Sequence, residues 1–509
     1  MLCSSPHMAQ TNNIHHRHLA RGTTIGLVST VMMGVVNYFL RRHWALTLGP
    51  ADFGWFYINY TVFYFAAILI DLGGANYSMI AIAKHHEAGE ADKVNHVFFA
   101  TALYKLLSGL VGAILFWFLA PWLAVHFFHY PAAVGSIRLM TLFFPLFCLE
   151  GHLFTVLCSF KAFITGYGLL VLKFVLILLF ALMGGASIRL PPLLFIGGSG
   201  LFCLCAIGYL FGSGKVKLRL RFLSLRGVGQ YLVKGIWLAL YNIGAQTVLY
   251  ADQLVATLLL GAAAMAVYQV AVPLVQIVYS LLMIVPTVGI PVMATLWEQE
   301  DAEPAVAGLC SAFLAAMLAL LWLALLVTLP LGNLLVTLLF SGTFVAAGPL
   351  LPFLSAGIIL YIAGFFCFNA WNARRRNHAT SLIMIMAPLL NVGLCLLLVP
   401  RHGLRGAAMA VGCTHAAICV AACVLLKVKL PSFRLAPLRA LYISTCGAVV
   451  LAVVVRGGPI EALLSRRAAV VLGGSVVYLL LVAPAILPRL RAAGAGRGGR
   501  RRPASSPAG

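Results

Sequence analysis

Long apolar runs alternate with short polar connectors along almost the whole chain. Fourteen runs can be marked, at 23–46, 52–74, 95–120, 137–160, 166–186, 191–212, 230–259, 263–293, 305–329, 346–369, 379–399, 404–426, 436–456 and 467–488. Most come close to the roughly 20 residues that a helix needs to cross a bilayer. Helix is the assignment, because a backbone in hydrocarbon must satisfy its own hydrogen bonds. The polar alternation of a membrane β-barrel strand is absent. The pattern predicts an all-α polytopic membrane protein with about fourteen transmembrane helices.

Composition sharpens this picture. Of 509 residues, 62% are hydrophobic and only 9% charged, where a soluble protein has about 25% charged residues. That excludes a soluble enzyme, a disordered chain and a disulfide scaffold. The net charge of +23 would suggest a nucleic-acid partner in a soluble protein. Here the positive residues sit in short connectors and a tail, so no nucleic acid is expected. With a cytoplasmic N-terminus, most Lys and Arg fall on the cytoplasmic side, and both termini are predicted inside. The 12 cysteines include no CxxC pair. Cys148, Cys158, Cys310, Cys395 and Cys446 lie within apolar runs and read as packing residues.

Several chemistries drop out. Gly212-Ser213-Gly214-Lys215 looks like a phosphate-binding loop, but Tyr209 and Val216 stand where that motif needs Gly and Ser or Thr. No metal-ligand spacing and no catalytic triad is found, so neither cofactor nor enzymatic activity is expected. Residues 1–21 are polar and lack the pattern of a signal peptide; their His cluster reads as a solvated cytoplasmic tail.

The connectors define the organisation. Residues 213–228 alternate basic and apolar side chains, as expected for a linker on the anionic inner leaflet. They fall near the midpoint, and an internal repeat appears at an offset of 212 residues. Leu48-Gly49-Pro50-Ala51-Asp52-Phe53-Gly54 lies over Leu260-Gly261-Ala262-Ala263-Ala264-Met265-Ala266. Six helices per repeat is an even number, so the repeats run parallel. The expected division is two pseudo-symmetric six-helix lobes, 22–212 and 229–430. Helices 13 and 14 occupy 431–488, and a disordered basic cytoplasmic tail occupies 489–509.

Polar residues within apolar runs are the functional candidates. In the first run Thr30, Gly34, Asn37, Arg41 and Trp44 share one helical face. The offset carries Thr30 onto Asn242, Gly34 onto Gln246, Asn37 onto Leu249 and Arg41 onto Gln253. Two mostly polar faces at related positions are expected to share a wet cavity; polar contact between helices is the competing reading. Arg42 points elsewhere and is expected to snorkel outward. Glu150 and Lys173 lie inside the fourth and fifth runs, and either pair with each other or line the cavity. Asp252 is expected to face a neighbouring helix, and Arg138 is a further buried charge.

The loop at Leu48–Gly54 resembles the loop after helix 1 in Wzx-type polysaccharide flippases. Asn391-Val392-Gly393 through Val399-Pro400-Arg401-His402-Gly403-Leu404-Arg405-Gly406-Ala407-Ala408 resembles their helix 11–12 hairpin. Leu339-Phe340-Ser341-Gly342 with Ala346-Ala347-Gly348-Pro349 resembles the loop before their helix 10. The resemblance spans about residues 22–430 and extends to the multidrug/oligosaccharidyl-lipid/polysaccharide (MOP) exporter superfamily. It implies two six-helix lobes about a cavity, with two added C-terminal helices. It also implies flipping of a glycan on an undecaprenyl pyrophosphate carrier across the bacterial inner membrane, with a polysaccharide polymerase and assembly proteins as further partners.

On that reading Arg41, helped by Arg138 and Lys173, holds the pyrophosphate. Asn37, Trp44, Asn242, Gln246 and Tyr250 contact sugars, with Thr30, Glu150, Asp252 and Gln253 completing the cavity set. Alternatives are an ion-coupled multidrug antiporter, for which Asp252 and Glu150 are the carboxylate candidates, and a lipid II flippase. In the hairpin, Pro400 is expected to end the helix before it.

Overall fold

The computed structural model describes residues 6–71, 74–185, 187–217, 236–283, isolated positions in 285–297, 302–373 and 378–433. The expected helices over 436–456 and 467–488, the tail at 489–509 and most of the 213–228 linker lie outside the described residues. The elements are α1 (Pro6–Thr47), α2 (Pro50–Asp71), α3 (Gly74–Glu87), α4 (Ala91–Trp122), α5 (Val134–Ser159), α6 (Phe163–Met183) and α7 (Leu190–Gly212). These are followed by α8 (Ile236–Thr247), α9 (Ala251–Leu282), α10 (Ala302–Leu339), α11 (Leu351–Asn372), α12 (His378–His402) and α13 (Leu404–Lys429). Among the described residues, ten stretches are long and apolar enough to cross a membrane. The chain is an all-α, polytopic membrane protein.

Local chemistry explains most boundaries and corrects two expectations. The stretch 6–21, expected as a tail, continues α1. Pro6 is the first helical residue, where its fixed φ and missing N–H suit a helix start; the apolar span begins at Thr24. In the hairpin, α12 runs past Pro400 to His402 and stops at Gly403, which has φ +56°. Proline in the last turn removes one hydrogen bond that the fraying end can spare. α2 is not among the ten apolar stretches, since Tyr57, Asn59, Tyr60, Thr61 and Tyr64 dilute its hydropathy.

The chain divides into two compact units. The first comprises Met1–Val288, Gly332–Leu354 and Asn377–Thr414. Its apolar core joins α4, α5 and α7 through residues such as Phe98, Leu153, Val156, Phe202 and Ala206. The second comprises Gly289–Leu331, Ser355–Arg376 and His415–Gly509. There Phe313 stacks on Phe366 at 4.0 Å between ring centroids, and Gly364 lets α11 approach the α13 backbone at Cys419.

Within the first unit the repeat at offset 212 is visible in the backbone. Gly49 ends α1 with φ +77°, and Gly261 breaks α9 with φ +79°. Both adopt the left-handed region that costs glycine least. Gly261 splits α9 into two arms, 251–260 and 262–282, corresponding to the end of α1 and to nearly the whole of α2. Five residues beyond each break, Gly54 of α2 and Ala266 of the second arm meet. A Cβ on Gly54 would stand 2.2 Å from the Ala262 carbonyl oxygen and 2.8 Å from the Ala266 nitrogen. Because 54 and 266 are repeat-related, the two halves touch at equivalent points.

A connector after α4 reinforces this contact. Residues 123–127 form a π-helical turn, after which His129 takes φ +52°. Phe128 then accepts a hydrogen bond from Ala262 N at 3.1 Å, and the Tyr130 hydroxyl donates to Asp52 at 2.7 Å. That bond to the Asp52 carboxylate raises the Tyr130 phenol above its ordinary value.

The Gly54 contact yields a stability test. Gly54→Ala forces backbones apart and should cost about 1–3 kcal/mol, seen as a lower melting temperature of the purified protein in detergent. Gly393→Ala, where nothing lies within 4 Å of the new Cβ, should melt like wild type.

Candidate functional site: a tyrosine-lined cavity with one arginine

The first unit encloses a cavity of roughly 320 Å³, within the range of small-ligand pockets. α1 lines it with one face, through Thr30, Gly34, Asn37, Tyr38 and Arg41. At 1.5 Å per residue that face is about 16 Å long. α2 contributes Tyr57, Tyr60, Thr61 and Tyr64, and α9 with its preceding turn contributes Tyr250, Gln253, Val272, Pro273 and Gln276. Phe174 and Phe195 complete the wall on α6 and α7.

The offset of 212 maps this wall onto itself. Tyr38 corresponds to Tyr250 and Arg41 to Gln253, while Tyr60, Thr61 and Tyr64 correspond to Val272, Pro273 and Gln276. The cavity therefore lies where the two related helix pairs face each other. The first half presents Tyr57, Tyr60 and Tyr64 with one cation; at the matched positions the second has Gln269, Val272, Gln276 and Gln253.

Among the described lining residues, Arg41 alone is charged. Its Nη1 donates to the Gln269 carbonyl at 3.2 Å and to Gln269 Oε1 at 3.3 Å. Its guanidinium lies 4.3 Å from the Tyr57 ring centroid, within cation–π range. Gln269 Nε2 donates to Gln253 Oε1 at 2.9 Å, which also accepts from Thr61 at 3.5 Å. Thus Arg41 touches Tyr57 and Gln269, which are themselves repeat-related. Nε and Nη2 make no hydrogen bond among the described residues. Beyond Arg41, the rings of Tyr64 and Tyr250 pack 5.2 Å apart.

Of the residues expected at the site, Thr30, Asn37, Arg41, Tyr250 and Gln253 line the cavity. Trp44 lies one layer behind, fully buried against Phe56, Tyr57 and Phe195. Asn242 and Gln246 fall on α8, which ends at Thr247. The break at 248–250 interrupts the face that runs continuously along α1, so Tyr250 and Gln253 beyond it reach the cavity while these two do not. Arg138 stacks over Trp117 at 5.3 Å. Asp252 is buried and accepts a hydrogen bond from the Tyr268 hydroxyl. Arg42, expected to snorkel, donates from Nε to the Leu339 carbonyl at 2.9 Å; it satisfies an orphan carbonyl at the end of α10.

Glu150 and Lys173 form a buried ion pair. Lys173 Nζ donates to Glu150 at 2.6 and 2.8 Å and to the Ser199 hydroxyl at 2.8 Å. Ser199 in turn donates to Glu150. The triad pins α5, α6 and α7 together and lies outside the cavity wall.

The tyrosines of α2, and Gln269 and Gln276 of α9, were not singled out in the sequence. The spacing Tyr57, Tyr60, Thr61, Tyr64 carried the signal, since these positions share one helical face. Carrying them forward by 212 would also have marked Gln269 and Gln276.

Comparison with known proteins follows this geometry. An inward-facing MATE-family multidrug resistance transporter of the MOP superfamily is similar at TM-score 0.68 and 15% identity, covering 81% of this chain and 98% of its own. An outward-facing MATE-family transporter is similar at TM-score 0.58 and 16% identity, covering 82% and 96%. A MOP-superfamily transporter from Pyrococcus furiosus with a binding pocket of reverse polarity is similar at TM-score 0.57 and 15% identity, covering 81% and 96%. No curated protein matches significantly. The chain shares the helical, multi-pass fold of these transporters. The model described as polysaccharide biosynthesis protein matches residues 19–297, more than half of the chain. The chain belongs to the polysaccharide biosynthesis protein family.

The triad gives a clean test. Lys173→Met leaves a buried carboxylate without its cation and should cost about 3–5 kcal/mol, measured by thermal unfolding in detergent. Combining it with Glu150→Leu should restore most of that loss.

Proposed function

We propose that this transporter flips a lipid-linked oligosaccharide, a glycan on an undecaprenyl pyrophosphate carrier, across a bacterial inner membrane. One observation carries the reading: a single arginine with unengaged donors on the wall of a tyrosine-rich cavity. An anionic headgroup in hydrocarbon is prohibitively costly without compensation. Arg41 supplies it, with Nη1 anchored by Gln269 and the remaining fork open to phosphate oxygens. Tyr57 beneath the guanidinium fixes its plane. The tyrosines above it offer ring faces and hydroxyls, the combination that suits sugars, and Asn37 and Gln276 add amides.

The cavity argues against a cation exporter of the multidrug type. Among the described lining residues no carboxylate is present, and the wall charge is positive. The pyrophosphate contact rests on Arg41 alone, since Arg138 and Lys173 are engaged elsewhere. No covalent step is assigned to the protein. The basic 213–228 linker would sit on the anionic inner leaflet, both termini would be cytoplasmic, and a polysaccharide polymerase would act on the exported units.

The test is export in cells that lack the native gene, read as surface glycan normalised to transporter abundance. Arg41→Ala removes a charge-assisted contact of about 1.5–3 kcal/mol, roughly 10- to 150-fold in affinity, and should abolish export while the protein accumulates normally. Arg41→Lys should rescue partly, keeping the charge and losing the planar fork. Normal export by Arg41→Ala would remove Arg41 from the mechanism.

A further inference from the structure

Gln269 is buried behind the cavity wall, and its contacts decide how Arg41 can meet a ligand. Arg41 Nη1 carries two protons and meets two acceptors on this one residue, the main-chain carbonyl at 3.2 Å and Oε1 at 3.3 Å. A guanidinium offers oxyanions two bidentate edges. The Nη1–Nη2 edge is end-on, and the Nε–Nη2 edge is side-on. With Nη1 engaged, the side-on edge is the one that keeps both donors. The Tyr57 ring covers one face of the guanidinium, its centroid 4.3 Å from Cζ, so a ligand approaches in the plane, along that edge.

The Gln269 amide holds Arg41 in this way in one orientation only. Its Nε2 donates to Gln253 Oε1 at 2.9 Å. That oxygen also accepts from the Thr61 hydroxyl at 3.5 Å, and Gln253 Nε2 donates to the Leu249 carbonyl at 3.5 Å. Gln253 therefore presents an acceptor to Gln269. Turning the Gln269 amide over would set two carbonyl oxygens face to face and aim an NH2 group at a cation. Gln253 and Gln269 are 3% and 1% exposed, and at such depth an unmade hydrogen bond is costly. The donor chain from Arg41 through Gln269 and Gln253 to Leu249 thus runs in one direction.

The repeat shows that packing does not demand this chain. Gln253 and Gln269 stand at the positions of Arg41 and Tyr57. The first half fills the two places with a cation on a ring, and the second with two bonded amides. A ring at 269 would offer Nη1 no amide oxygen.

We propose that Gln269, backed by Gln253, is a positioning residue that reserves the Nε–Nη2 edge of Arg41, so that the cavity takes a phosphate side-on, through two oxygens of one phosphorus. This rests on the reading of Arg41 given above and adds a specificity to it. Because one phosphorus is engaged, a phosphate monoester and a pyrophosphate ester on the same lipid are both ligands.

The test is a double-mutant cycle on the full chain purified in detergent, with farnesyl pyrophosphate and farnesyl phosphate as probes. Gln269→Leu and Arg41→Lys should each weaken pyrophosphate binding about tenfold. Lysine has no edge to orient, so the double variant should bind nearly as well as either single one, not about a hundredfold below wild type. Farnesyl phosphate should bind wild type within about tenfold of the pyrophosphate and give the same cycle. If Gln269 served packing alone, the two losses would multiply. That result would overturn the proposal, as would rejection of farnesyl phosphate by wild type, and both leave the Arg41 reading intact. Equal binding of both probes by wild type and Arg41→Ala would overturn the two together. If Gln269→Leu does not fold, Gln253→Leu takes its place in the cycle, since it removes the backing and leaves Gln269 present. Losses that fail to multiply then support the proposal, and losses that multiply defeat it.

Discussion

The contact of Gly54 with the backbone at Ala262 and Ala266 sets the geometry of the first unit. Helix backbones approach this closely only where side chains are absent or very small, as in membrane helix packing generally. Because 54 and 266 are repeat-related, this contact lies where the two halves meet on equal terms. Everything on the adjacent faces of α1, α2 and α9 is thereby placed opposite its own counterpart. The cavity is the space left beyond that point of contact, and its polar network spans it.

Asymmetry within that pseudo-symmetric frame is where chemistry enters. Equivalent positions hold Arg41 and Gln253, Tyr57 and Gln269, Tyr64 and Gln276, Leu40 and Asp252. The frame needs only similar shapes at these places. Divergent polarity at matched positions is therefore not demanded by packing alone. The same comparison separates Glu150–Lys173–Ser199, whose charges cancel internally and hold three helices, from Arg41, whose donors remain available.

Broken helices recur at the sites that matter. The interruption at 248–250 turns Tyr250 into the cavity and frees backbone N–H groups beside Asp252. The reversal at Gly261 lets one sequence segment supply both arms of the second helix pair. In a membrane, backbone freed from a helix must find partners within the protein. Ala262 finds the Phe128 carbonyl.

Hydropathy, charge bias and the offset of 212 determined by themselves that the chain is helical, crosses a membrane repeatedly and carries a polar face on its first helix. Those properties follow from solvent and periodicity, which are local. Arg41, Thr30 and Asn37 were legible because one unbroken helix keeps them in register. The fate of Asn242 and Gln246 was not, since it depends on a break that the apolar run conceals. Nor could spacing decide whether Glu150 and Lys173 pair or line a cavity, because that depends on Ser199 arriving from a third helix. The α2 tyrosines share one helical face, but that face becomes a cavity wall only with α9 opposite it. Which polar residues face a common space is a property of helix packing, and only the tertiary structure could settle it.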